Sequence, residues 1–348
     1  MYITDLKAIL PQDTYTEGVL TGQFKEHNEM VFSAIEPNYI GFIPKGLLRR
    51  MGKAVRMGVG SGLPLINDHK DIEGVLVATA NGGMEDCIKF LNQIVDYDEG
   101  ILTPTNFVQS TPNSIAAQIA LLGKKQGYNI TYTNGGLAFE NTLLDAMLLF
   151  EEGLHSKLLV GGIEEVSDYS YNIDFLLGKY KTEPISKEWY LDSNSVGAYC
   201  GEGAAFFVLV PESKEYLCRI KDLDQITYPN EADIDQLTAN LLSRNGLTLA
   251  DIDSVVLGYN GDVRHNKWYD HIGDSVFKKA NVFCFKHLVG EYRVCSSAAL
   301  WFLTHLFQGN KVLYSKMLKE DRHERPLKNA LIYNHFDADQ HSFILVQK

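Results

Sequence analysis

The stretch from Ile130 to Glu164 restricts the fold more than any other part of this sequence. Ile130 to Thr133 reads as a short apolar strand. Asn134-Gly135-Gly136 is a sharp turn into a helix whose apolar face is Phe139, Leu143, Ala146, Met147 and Phe150. Gly153 closes the helix, and Lys157 to Val160 opens a strand that runs into Gly161-Gly162-Ile163-Glu164. Strand, turn, helix and strand at this spacing form a βαβ unit, which requires a parallel sheet buried on both faces.

The flanking segments extend that pattern. Residues 1–10 read as an opening strand ended by Pro11, 73–80 as a buried strand ended by Asn81-Gly82-Gly83, and Ser114 to Leu122 as a helix. Residues 44–60 read as one helix carrying Lys45, Arg49, Arg50, Lys53 and Arg56 on a basic face. Val196 to Val210 is a turn through Gly201-Glu202-Gly203 into an apolar strand. A charged segment follows, near Pro211 to Lys221. Similar elements then recur: helices at 232–246 and 295–308, and strands at 253–260, 281–286, 329–334 and 341–347. This layout predicts an internal duplication, with one half at 1–210 and the other at 211–348.

The composition supplies the material for a large core, since 45% of the 348 residues are hydrophobic. No apolar run approaches the roughly 18 residues that span a bilayer, and Met1 to Asp5 lacks the pattern of a secretory signal. The five cysteines are scattered without a CxxC pair, as expected of reduced thiols in a cytoplasmic protein. A net charge of −12 argues against nucleic acid as a partner.

Several stretches, in order, resemble the β-ketoacyl synthases of the thiolase fold. They are Pro44 to Met57, Gln109-Ser-Thr-Pro-Asn113, the block Ile130 to Gly162, the Gly201-Glu202-Gly203-Ala204-Ala205 strand entry, and Lys286 four residues before Gly290. The resemblance implies an α/β fold of two similar halves stacked as five αβαβα layers. It also implies a catalytic Cys at the strand-to-helix turn, where the helix dipole and free N–H groups favour the thiolate. Two His residues should complete the site.

This chain departs from the pattern at all three positions. Gly136 stands where the nucleophilic Cys is expected, and no cysteine lies between Cys87 and Cys200. Asn260 takes the place of the first His, and Glu291 that of the second, where an anion would oppose a developing enolate. The family's closing Gly-rich loop corresponds to Asp337-Ala338-Asp339-Gln340-His341. The implied function is that of a non-catalytic, chain-length-factor-like subunit, without cofactor or metal. It would pair with an active β-ketoacyl synthase, or with itself, in fatty acid, polyketide or aryl polyene biosynthesis. The basic face Lys45, Arg49, Arg50, Lys53 and Arg56 would meet an acyl carrier protein or serve only as a solvated helix face.

Other residues offer different chemistry. His335, Asp337, Asp339 and His341 alternate along the chain as metal ligands on a strand can, though a polar loop or exposed strand edge is the plainer reading. Asp262, His265, Asp270 and His271 suggest general acid–base work in a hydrolase or other acyl-transfer enzyme, against a solvated loop near Trp268. An active synthase with a different nucleophile is a third possibility; Cys295, at a helix start, reads instead as a small buried hydrophobe. Glu164 and Glu202 read as structural acceptors for backbone N–H groups at turns.

Overall fold

The computed structural model describes residues 1–184 and 193–348. The first half contains strands β1 (Tyr2–Ile9), β2 (Val31–Phe32), β3 (Gly74–Ala78), β4 (Tyr128–Tyr132), β5 (Leu158–Glu164), β6 (Cys200–Gly201) and β7 (Gly203–Val210). Its helices are α1 (Lys45–Leu48), α2 (Lys53–Asp68), α3 (Met84–Asp96), α4 (Pro104–Gln109), α5 (Ser114–Leu122), α6 (Ala138–Glu151) and α7 (Asp168–Leu176). The second half adds β8 (Cys218–Thr227), β9 (Ser254–Leu257), β10 (Asn281–Cys284), β11 (Leu318–Glu320), β12 (Asn329–Phe336) and β13 (Gln340–Gln347). Its helices are α8 (Glu231–Arg244), α9 (Asn266–Asp270), α10 (Lys286–Val289), α11 (Ser296–Phe307) and α12 (Lys311–Met317).

The main strands line up as β11-β10-β9-β12-β13-β8-β1-β7-β5-β3-β4. Only Tyr2↔Arg219 and Ile3↔Cys218 join β1 to β8, so two sheets meet at one short seam. Within each sheet the order is the same. Numbering the five strands of a half as the chain reaches them, both sheets read 3-2-4-5-1, with the fifth strand antiparallel to its neighbours. β11 is an addition at the outer edge of the second sheet.

Strand alternation sends side chains to opposite faces and so separates the layers. Val75, Val77, Phe206 and Val208 face α2 and α5 on one outside. Leu76, Val160 and Phe207 face inward onto Phe139 and Leu143 of α6. From the other sheet, Ile332 and Ile344 close on the same central layer, which α11 completes with Ala298 and Phe302. Beyond the second sheet, Val255, Leu331 and Phe343 pack against Ile234 and Leu241 of α8 and Trp268 of α9. The result is five layers with two helices buried at the centre.

Two expectations need correction. Residues 44–60 are not one helix: α1 ends at Leu48 and α2 begins at Lys53. Gln109 holds the break open, its Oε1 accepting from the Gly52 N–H at 2.6 Å and its Nε2 donating to the Arg50 carbonyl. The charged stretch near 211–221 already contains the start of β8, whose charged side chains alternate with the buried Cys218, Ile220 and Leu223.

Candidate functional site

The turn between β4 and α6 places Gly136 at the buried amino end of the central helix. Gly135 takes φ +64°, the left-handed bend that brings the chain round. The Gly136 N–H donates to Gln340 Oε1 at 2.7 Å, and Gln340 Nε2 donates back to the Asn134 carbonyl at 3.2 Å. A side chain at 136 has nowhere to go. A Cβ built there would lie 2.3 Å from Phe336 Cβ and 3.1 Å from Gln340 Oε1.

The β12–β13 turn therefore fills the space where a side chain at 136 would stand. Charge holds it there. The Arg293 guanidinium and the Lys179 ammonium lie 4.9 and 5.1 Å from the centre of the Phe336 ring. Both cations are tied to buried Asp174, at 3.0 and 3.3 Å, and Lys179 also reaches Asp337 at 2.6 Å. Asp337 and Ala338 adopt φ +53° and +58°, the left-handed conformations that a Gly-rich loop accepts more cheaply.

Asn260 and Glu291, the residues expected at the two His positions, touch each other. Asn260 Nδ2 donates to Glu291 Oε2 at 2.8 Å, and fully buried Lys286 donates to the same oxygen at 2.8 Å. Glu291 is thus half of a closed ion pair rather than a bare anion facing a substrate. Cys295 points its Sγ at Glu291 Oε1, 3.7 Å away. Burial, reinforced by the Glu291 and Glu140 carboxyls, raises that thiol to about 12 despite Lys286 nearby, so it carries no thiolate at neutral pH. Glu140, one turn into α6 and fully buried, has its carboxyl raised by desolvation and sits beside Ser296 and Ser342. Nothing in the sequence pattern singled out Glu140 or Asp174; both depend on contacts between distant segments.

His335 and His341 face each other across the β12–β13 hairpin and are buried, not exposed on an edge. His335 Nδ1 accepts from the Ala338 N–H at 3.2 Å, while its buried Nε2 has no hydrogen-bond partner among the described residues. His341 Nδ1 lies 2.8 Å from the Tyr333 hydroxyl, and its Nε2 lies 2.9 Å from the Ala338 carbonyl. Asp337 belongs to Lys179. Among the described residues no group of three or more His, Cys, Asp or Glu side chains is placed to hold a metal.

Asp262 is buried too, not part of a solvated loop. Burial works to raise its pKa, but bonds from the Arg264 side chain and backbone N–H outweigh that and hold it below the usual carboxylate range. His265 contacts Asn260 Nδ2 at 3.2 Å, Asp270 accepts from the Tyr259 hydroxyl at 2.6 Å, and His271 pairs with Asp235 at 2.7 Å. Asp270 and His271 sit in separate local pairs, whereas His265, through Asn260, adjoins the Glu291 cluster and lies edge-on to His335 with ring centroids 5.2 Å apart.

Glu164 accepts from the Ala80 and Asn81 N–H groups, and Glu202 from those of Ala34 and Val166. The basic face is divided: Lys53 pairs with Glu202 at 2.5 Å and Arg56 makes a two-pronged pair with Glu36 at 2.6 and 2.8 Å. Lys45, Arg49 and Arg50 stay exposed.

Comparison with known proteins places this geometry. Residues 23–174 match the sequence model of the family described as "Beta-ketoacyl synthase, N-terminal domain". Those residues carry the family's sequence signature, and the whole chain has its fold. A β-ketoacyl synthase from Burkholderia phymatum STM815 superposes with a TM-score of 0.82 at 15% identity, over 100% of this chain and 98% of that one. The ishigamide ketosynthase/chain length factor gives 0.80 at 13%, again over 100% and 98%. A ketosynthase (ApeO) in complex with its chain length factor (ApeC) from Xenorhabdus doucetiae gives 0.75 at 14%, over 99% and 97%. Among curated protein sequences none matches. No helix of the described residues is long and apolar enough to cross a membrane.

Proposed function

We propose that this chain is a non-catalytic, chain-length-factor-like subunit that pairs with a cysteine-bearing β-ketoacyl synthase in fatty acid, polyketide or aryl polyene biosynthesis. The observation that carries this reading is the contact at Gly136. The position of the reactive thiol has neither a side chain nor room for one, because Phe336 and Gln340 occupy it. The Asn260–Glu291–Lys286 cluster supports it, since these groups satisfy each other rather than a thioester oxygen or an enolate. The two halves, 1–210 and 211–348, would then act as a scaffold rather than as two sides of a working cleft. Carrier-protein contact would fall to Lys45, Arg49 and Arg50, the cations of the basic face not drawn into internal pairs.

The test is co-expression with a cysteine-bearing synthase. A stable one-to-one complex with an active partner, and no thioester turnover by this chain alone, is the expected result. A chain that leaves such a synthase unbound and inactive, or that turns over thioesters by itself, removes the reading.

A further inference from the structure

Glu165, the residue after β5, joins two helices that start far apart in the sequence. It is 3% exposed. Its Oε2 accepts from the Ala54 N–H, in the first turn of α2, at 2.9 Å, and its Oε1 from the Glu85 N–H, in the first turn of α3, at 3.4 Å. One buried carboxyl thus satisfies free N–H groups at the starts of both helices. α3 gives this joint its leverage. None of its 13 residues is buried, so the helix has no core side chain to anchor it. Its start is tied by the Met84 N–H on the Asn81 carbonyl at 2.9 Å and the Cys87 N–H on the Gly83 carbonyl at 2.8 Å. Further along, Phe90 leans on Phe107 of α4, with ring centres 5.3 Å apart.

The charges around Glu165 oppose its ionisation. α3 brings Glu85 and Asp86 in its first turn and one cation, Lys89, which is bound to Glu85 at 2.5 Å. From α2, Lys53 turns to Glu202 and Arg56 to Glu36. β5 ends in Glu164, and α7, packed on α3, opens with Asp168. Arg293 acts on Glu164 and is tied to Asp174. Neither α4 nor α5 carries a charged residue. The positive ends of two helix dipoles favour a carboxylate here, but the site is dry and its other acids repel one. Burial raises Glu165 to about 7; its two backbone bonds oppose that rise, and Glu85 and Asp86 add to it.

We infer that Glu165 is a proton-operated joint: protonated, it locks the first turns of α2 and α3 to the end of β5, and on losing its proton it is driven towards water and lets the start of α3 open. The opening reaches the chain ahead of α2 as well. Asp86 lies so close there that a Cβ on Gly52 would stand 1.9 Å from its Oδ2. The joint does not depend on the function proposed above.

Hydrogen exchange of the full chain against pH tests it, read as protection factors so that the intrinsic pH dependence of exchange drops out. In the open state Glu165 titrates as an unfolded carboxyl near 4.5, against about 7 when closed, so opening at the Glu85 and Cys87 amides should rise about 25-fold from pH 5.5 to pH 8. The Asp233 amide, in the first turn of α8 and capped by the neutral Asn230, should show no such rise. Glu165→Gln keeps an acceptor oxygen and cannot ionise, so protection at Glu85 and Cys87 should stay flat across that range. Glu85→Gln/Asp86→Asn removes the repulsion and should shrink the wild-type rise without abolishing it. A flat wild type, a rise that persists in Glu165→Gln, an undiminished rise in Glu85→Gln/Asp86→Asn, or an equal rise at Asp233 would each overturn the inference. Thioester turnover by this chain alone would defeat the proposed function and leave the exchange result to stand or fall separately.

Discussion

Placing a thiol at residue 136 should fail, and the reason lies in packing rather than chemistry. In Gly136→Cys the new Cβ would start 2.3 Å from Phe336 Cβ, an atom fixed to the hairpin backbone that cannot swing aside. Overpacking of this kind costs about 1–3 kcal/mol, and a weakened Gly136 N–H bond to Gln340 adds about 1 kcal/mol. At an unfolding entropy of about 2.1 cal/mol/K per residue, a total of about 2–4 kcal/mol lowers Tm by about 3–6 °C in a chain of 348 residues. Thermal unfolding followed by circular dichroism reads that drop. Phe336→Gly opens the space, so Gly136→Cys/Phe336→Gly should be less destabilised than the two single changes added together, by about 2 kcal/mol. Iodoacetamide should label residue 136 in the double variant and spare it in the single one, with peptide mapping separating it from Cys87. A Gly136→Cys protein that melts within 1 °C of wild type, with strictly additive effects, would refute the plugged-site argument.

Three further outcomes follow from the same contacts. Glu291→His, which restores the residue type expected there, strands the Lys286 ammonium in the interior and should cost about 3–5 kcal/mol without creating decarboxylase activity. Lys286→Met/Glu291→Leu should cost much less, which denaturant titration of both variants would check. Burial raises the Glu164 and Glu165 carboxyls to about 7 against 4.5 unfolded, although backbone N–H groups oppose the shift. The folded state then holds protons that the unfolded state has released, so these groups make stability fall as pH rises from about 4.5 to 7 and level off above it. At most about 3 kcal/mol per group is involved, and Glu165→Gln should flatten Tm against pH in that window. Finally, Arg49→Glu/Arg50→Glu should weaken binding to an acyl carrier protein several-fold at unchanged Tm, whereas Arg56→Ala should lower Tm by breaking its pair with Glu36. Calorimetry and thermal melts separate the two effects.

The parts of this molecule legible in the sequence are those fixed by local rules. Ser114–Leu122 and the apolar face of α6 follow helical periodicity, and both appear as read. What the sequence hid depends on distant partners. The helix expected at 44–60 breaks because Gln109, more than fifty residues away, holds Gly52 and the Arg50 carbonyl. Lys53 and Arg56 look free on a helical wheel but are drawn inward by Glu202 and Glu36. Glu291 reads as an anion set against a developing enolate until Lys286 and Asn260 close on it. Phe336, which fills the site at Gly136, is one apolar residue at the end of a strand and carries no signal of that role.

One measurement bears most directly on the proposed non-catalytic role: intact-mass spectrometry of the purified chain after incubation with an acyl-loaded carrier protein. Retention of the unmodified mass at every acyl length tried is the predicted result. A stoichiometric acyl adduct, on Cys295 or any other side chain, would mean that a nucleophile works inside this fold and that the subunit is an enzyme in its own right.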